Sequence, residues 1–304
     1  MKAKFKIAAF VLLAILVVTC KKKEAGHSKE SINSGKATIL VDETLTPIIE
    51  DQVQIFESTY DAKITLESKS ETEVIQKLVK DTSQIAVLAR ALNPNEEQIF
   101  KNKKIIPRIT KIATDAIALI SNKNDKDTIV ALQDVIAFMQ QKPSTIKGLV
   151  FDNPNSSTAR YINELAGIKS FPEKGVFSFK TNDEVIKYVS ENSGIIGIVG
   201  MNWINDPKPQ TQPYIEKINV LSVKGNSSNS YTFPSQNNIA EGIYPLARDL
   251  YIVNCQGYPG LGMGFSSFAT SETGQRIILK AGLVPVKTPS RQILIRNGKE
   301  TIKK

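Results

Sequence analysis

The chain has 304 residues and a formal net charge of +9, with two cysteines and a single histidine. The sole histidine, His27, falls in a polar stretch expected to be a tether, so Ser-His or Cys-His nucleophilic machinery has no base available. Two cysteines exclude both a disulfide framework and a clustered thiolate metal site. Three leader lysines, a net +3 over residues 20–36 and +5 over 287–304 exceed the whole +9, so residues 37–286 are slightly acidic. No basic stripe interleaved with aromatics is present, and nucleic acid is not an expected partner.

Residues 1–19 carry Lys2, Lys4 and Lys6, then an apolar run from Ile7 to Val18. This is the build of a secretory signal, too short for a dependable membrane span. Val17-Val18-Thr19-Cys20 resembles a loose bacterial lipobox, which implies cleavage before Cys20 and acylation of its thiol. Residues 20–36 lack apolar periodicity and are expected to form a flexible tether.

From Ala37 the periods alternate. A strand over 37–41 precedes a helix from Pro47 to Tyr60, with apolar residues at Ile48, Ile49, Val53 and Phe56. A strand over 62–66, a helix over 71–80 and a strand over 84–88 follow, so a mostly parallel sheet is expected. The long apolar run Ile112–Ile120 leads into a second block: helix 131–140, strand 148–151, helices 158–166 and 183–190, and strand 194–199. Residues 202–242 read as turns around one strand near 218–223. An extended run returns over 245–253, and the last block, 265–280, is helical. Two long extended segments bracketing a middle block predict two α/β lobes joined by two crossings. Lobe 1 comprises residues 37–115 and 246–290, lobe 2 comprises 116–245, and 291–304 form a basic tail. A cleft between such lobes is the expected ligand site, with the crossings as its hinge.

Leu149–Arg160 is the most informative stretch. An apolar strand ends in an Asx/Pro turn that brings Ser156, Ser157 and Thr158 to a helix start. Unpaired helical N–H groups, the positive end of the dipole and three hydroxyls together make an anion seat, although ordinary N-capping uses the same residues. Ser144 and Lys147 have the spacing of a Ser-Lys dyad, but in a loop of a lysine-rich chain. Gly257, Gly260, Gly262 and Gly264 lack the spacing of a phosphate-cradling loop. Trp203 is expected in the core or near the cleft, and Cys255 as a buried apolar residue.

The chain resembles the solute-binding proteins of phosphate ABC transporters, a two-lobed periplasmic-binding-protein (type II) fold, over most of residues 37–286. The resemblance is carried by Tyr244-Pro245-Leu246-Ala247-Arg248-Asp249-Leu250-Tyr251, by Phe265, Phe268, Ser271, Gly274, Gln275, Ile278 and Gly282 to Pro285, and by Gly194 to Gly200. It implies ligand contacts from three loops. Ser156, Ser157 and Thr158 stand where the family has Ser-Gly-Thr, with Arg160 beside them. Ala89-Arg90 stands where many members have Ser-Arg or Ser-Asp, so one hydroxyl is missing. Asp42, Glu43 and Thr44 precede Pro47 where the family offers small hydroxyl residues. An acid there faces an anion favourably only beside Arg90 or Arg160, or by accepting a proton carried by the oxyanion. The arginines are expected to supply charge through bidentate forks. The resemblance implies a monomeric, lipid-anchored, non-enzymatic protein on the periplasmic side of a bacterial membrane. It would deliver an oxyanion, phosphate first, to an ABC permease, with no metal or cofactor. A sensor or scaffold on the same fold is the alternative.

Overall fold

The structure, a computed structural model, describes residues 30–81 and 84–290. Cys20, the leader and the 291–304 tail lie outside the described residues.

Lobe 1 opens with strand β1 (Ser34–Asp42), a 3-10 turn (Glu43–Leu45) and helix α1 (Thr46–Thr59), whose early Pro47 lacks only an N–H that has no partner there. Next come β2 (Asp61–Lys69), α2 (Glu71–Lys80), β3 (Ile85–Leu88) and α3 (Pro94–Asn102). Helix α3 is not among the elements expected from periodicity, although Asn93 and Glu96 make a capping box around Pro94. The outbound crossing is β4 (Arg108–Asn122).

Lobe 2 holds β5 (Ile129–Ala131), α4 (Leu132–Met139), β6 (Leu149–Phe151), α5 (Ser157–Ala166), β7 (Val176–Ser178), α6 (Asn182–Glu191) and β8 (Ile196–Gly200). The segment expected as turns folds into α7 (Asn202–Asn205), α8 (Gln212–Ile215), β9 (Ile218–Val220), β10 (Ser222–Lys224), β11 (Tyr231–Thr232) and α9 (Gln236–Ala240). The return crossing is β12 (Ala247–Asn254), followed by α10 (Leu261–Ala269), α11 (Glu272–Lys280) and β13 (Val284–Pro285). The last helical block is thus two helices, divided where the Ser271 side chain accepts from Gly274 N and starts a new one.

The main sheet runs β2-β1-β3-β12-β4-β8-β6-β7. It is parallel in each wing, as alternation predicts, but antiparallel in the middle, because β12 returns beside β4 with Ala247 opposite Ala116 and Asn254 opposite Arg108. Strand β4 serves both wings: its first half pairs with β12 and its second half with β8. The apolar side chains separate accordingly. One cluster draws on residues from Ala116 to Leu246, and another on Ile39 to Ala113 together with Leu250 to Leu283. The strands of both wings direct their carboxyl ends at the cleft between the lobes, where open α/β sheets bind ligands.

The tether expected through residue 36 is shorter at its body end. Strand β1 already begins at Ser34, and residues 30–33 lie on the start of α10. Glu30 accepts from Leu261 N at 2.8 Å and from the Tyr258 hydroxyl at 3.0 Å. Gly264 allows the approach, since a Cβ there would stand 1.5 Å from the Ile32 carbonyl oxygen. Gly264→Ala is therefore expected to expel residues 30–33 and cost about 1–3 kcal/mol in urea unfolding; an unchanged midpoint would contradict the docking.

Candidate anion-binding site

The site assembles from turns at strand ends. After β1, the Asp42 carboxylate accepts from Thr44 N at 3.1 Å and fixes the 3-10 turn that presents the Thr44 hydroxyl. After β6, Ser156 caps α5: its Oγ accepts from Ala159 N at 3.1 Å and donates to Asp152 at 2.6 Å. Asp152 is held in turn by Asn182 Nδ2 at 3.1 Å. Ser156 thus fills the capping role, which frees Ser157 and Thr158 at the helix start to face the other lobe. The Ser157 and Thr44 hydroxyls meet across the cleft at 2.9 Å.

Arg248, on β12, completes this cluster. Its Nη1 donates to Ser157 Oγ at 2.9 Å and to Thr158 Oγ1 at 3.4 Å, and its Nη2 donates to Thr44 Oγ1 at 3.4 Å. Nη2 and Nε also reach Asp115 Oδ2, at 3.1 and 3.3 Å. Thr44, Ser157, Thr158, Asp115 and Arg248 are all buried. On the lobe 2 side, Asn202 Nδ2 and Trp203 Nε1 both donate to the Thr44 carbonyl, at 3.0 and 2.9 Å. Trp203 therefore has both expected roles, packing in the core and bonding across the cleft.

Arg90 and Arg160 take a different position. Both reach the buried Glu71: Arg160 by a two-toothed contact at 2.6 and 3.2 Å, and Arg90 through Nε at 2.9 Å. Arg90 also forks onto Glu96 at 2.7 and 2.8 Å, and Arg160 reaches Glu164 at 2.8 Å. Their positive charge is matched by carboxylates, as in an interlobe salt bridge. With Ala89 and Arg248 they still border one surface pocket of about 280 Å³. Arg248 joins the candidate site, although in the sequence it marks only the resemblance of fold. Its signal is the alternation of the strand, which puts Arg248 on the same inward face as Leu246 and Leu250, where a charge must find partners.

The carboxylates set the electrostatics. Burial pushes Asp42 up to about 7, with Glu71 adding to the effect and Arg248 and Ser157 opposing it. Burial, then Asp152 and Asp42, raise Glu43 to about 8. Asp152 rises to about 6, chiefly through burial. Asp42 Oδ2, Asp115 Oδ1 and Asn202 Oδ1 are buried without a hydrogen-bond partner in the protein. The cleft therefore offers hydroxyl and guanidinium donors together with unused acceptors from both lobes and from the crossing. Ser144 donates to Asp134 O at 2.9 Å, a structural bond that gives the Ser-Lys reading no support. No cluster of three or more His, Cys, Asp or Glu suited to a metal exists among the described residues.

Two lobes on a shared sheet, with hydroxyl-bearing turns facing each other over a cleft, define a two-lobed binding protein. The chain belongs to the periplasmic-binding-protein group: residues 27–273 match the PBP superfamily domain. It is 26% identical to the phosphate-binding protein PstS of Borreliella burgdorferi, over 94% of this chain and 99% of that protein. The Pseudomonas aeruginosa protein of the same name is 22% identical, over 92% of both. In fold it is similar to a phosphate ABC transporter substrate-binding protein with bound phosphate from Clostridium perfringens, at TM-score 0.68 and 20% identity, covering 83% of this chain and all of that one. A phosphate transport receptor from Vibrio cholerae superposes at TM-score 0.62 and 16% identity, with 83% and 100% covered.

Proposed function

We propose that this chain captures phosphate between its lobes and delivers it to an ABC permease, held at the extracytoplasmic face of a bacterial membrane by acylated Cys20. The observation that carries the reading is the meeting of Thr44, Ser157 and Thr158 on the Arg248 guanidinium. Hydroxyls from opposite lobes and a buried cation at a helix start are what an oxyanion needs. The names of the relatives point to the same ligand.

Because Thr44 and Ser157 touch directly, an anion enters only if the lobes part about the crossings, and it then replaces their mutual bond with bonds to itself. Arg248 supplies charge, Ser157 and Thr158 donate with the first amides of α5, and Thr44 donates from the other lobe. A neutral Asp42 does not repel the guest. Once ionised, it accepts only from an anion that carries a proton, which favours hydrogen phosphate over sulfate. Arg90 and Arg160 hold Glu71 at the entrance, their charge balanced by its carboxylate and by Glu96 and Glu164. No step calls for a nucleophile or a cofactor, so the activity is binding and not catalysis.

The test uses Trp203, the sole tryptophan of the chain, whose ring N–H bonds the opposite lobe. Phosphate is expected to change its emission saturably, with sulfate at equal concentration giving no change. Ser157→Ala should weaken phosphate binding about tenfold, the loss of one hydrogen bond to a charged group. The absence of both a fluorescence change and calorimetric heat with phosphate would refute the reading.

A further inference from the structure

The end of lobe 1 farthest from the cleft carries a second surface that phosphate capture does not use. Residues 101–109 read Lys-Asn-Lys-Lys-Ile-Ile-Pro-Arg-Ile. Ile106 is 91% exposed, the most exposed large apolar side chain of the described residues, and Ile109 beside it is 38% exposed. With Leu92, Ile105 and Pro107 they form a shallow apolar trough of about 630 Å³, edged by Lys101 and Lys104 and by a single acid, Glu97. Lys103 donates to Val79 O at the end of α2. Arg108 begins β4 on the same edge. An isoleucine projecting from a ring of cations is costly in water, but it matches a lipid surface, where the apolar tip enters the headgroup boundary and the cations meet anionic phosphates.

The chain's path fixes which way this surface faces. Arg108 is in register with Asn254, and Cys255 N donates to Gln84 O at 3.1 Å. Gln256, Tyr258 and Leu261 N, just beyond, grip Glu30. Residue 30, where the lysine-bearing segment 21–29 joins the body, therefore lies at the same end as the isoleucine loop. Strand β1 starts there at Ser34 and finishes at Asp42 in the cleft, roughly 26 Å away at the usual rise of an extended strand. The geometry points to residues 101–109 as a surface that rests on anionic lipid, with Ile106 inserted and Lys101, Lys104 and Arg108 on the headgroups. This posture keeps the cleft and lobe 2 clear of the bilayer while solute is captured. It rests on the reading that the chain is held at a membrane, but its test is separate from that of the anchor.

The experiment is hydrogen exchange on the full chain with an excess of vesicles, of phosphatidylcholine alone or mixed with phosphatidylglycerol. Amides of 103–109 are expected to exchange several-fold more slowly on the mixed vesicles only, and added salt should erase the difference. Lys101→Glu with Lys104→Glu, or Ile106→Ser, should abolish the protection while leaving phosphate binding intact, since all three side chains are exposed. Each lysine removed should lower partitioning about fivefold, the factor equivalent to ~1 kcal/mol per basic residue near such a surface. Equal exchange on both vesicle types, or protection that appears only when a permease is embedded, would overturn the proposal. Sedimentation of the Cys20→Ala chain with the same vesicles reads the anchor by itself.

Discussion

Arg248→Ala is expected to abolish phosphate binding and to lower the unfolding free energy by about 3–5 kcal/mol, the usual consequence of leaving a buried charge without its partner. The charge left behind belongs to Asp115, whose carboxyl burial already pushes up against the pull of Arg248. The hydroxyls of Thr44, Ser157 and Thr158 would lose their common donor at the same time. A second variant separates stability from binding. Asp115→Leu with Arg248→Met removes both charges and fills much of the volume, so the urea midpoint should recover most of the loss, because apolar replacement of a buried pair is often neutral. Phosphate binding should stay absent in this double variant, since nothing restores the cation. If Arg248→Ala unfolds more easily yet binds phosphate within a few-fold of the native chain, Arg248 is only a strut between crossings, and the charge must come from Arg90 or Arg160.

The two-lobed fold was legible in the sequence because apolar periods of strand and helix alternate from Ala37 onward, and because two extended runs bracket the middle block. The helix-start hydroxyls were legible because Ser156-Ser157-Thr158 follows a strand and a turn. What stayed hidden was long-range pairing. Glu71 is an ordinary first-turn acid of α2 by sequence, and only the fold brings it 89 residues forward to Arg160. Arg248 likewise reaches back 204 residues to Thr44. No local pattern encodes such contacts, so the sequence could identify the arginines as candidates but could not rank a partly buried pair against one wholly buried in a strand. The antiparallel middle of the sheet was hidden for a related reason: a strand's direction depends on where the chain has just been, and β12 re-enters from lobe 2.

The unliganded chain is expected to lose stability as pH rises from about 4 to about 8, contrary to the behaviour of a protein held by ordinary salt bridges. Asp42, Glu43 and Asp152 are raised from 3.8, 4.5 and 3.8 to about 7, 8 and 6. Between the unfolded and folded values the native state binds more protons than the unfolded one, so unfolding free energy falls as pH increases. The fall ends once each folded value is passed: near 6 for Asp152, near 7 for Asp42 and near 8 for Glu43. For fully buried Asp42 alone the change is on the order of a few kcal/mol. Glu57, Glu67, Glu73 and Glu96 are shifted the other way; their contribution is complete above about pH 5 and is lost on acidification, so it opposes the fall only at its acid end and cannot mask it above about pH 5. Being largely exposed ion pairs and caps, the first three add little in any case. Urea unfolding at a series of pH values reads the effect directly, and Asp42→Asn should flatten the curve between pH 4 and 7. Phosphate supplies the internal control. Lobes closed around an anion with Asp42 ionised incur like-charge repulsion unless the anion carries a proton, so affinity should decline above pH 7 as both lose their protons, and decline less in Asp42→Asn. Stability that climbs from pH 5 to 8 without ligand would mean that these carboxyls are solvated or paired in solution, and that the acid-lined cleft described above does not exist.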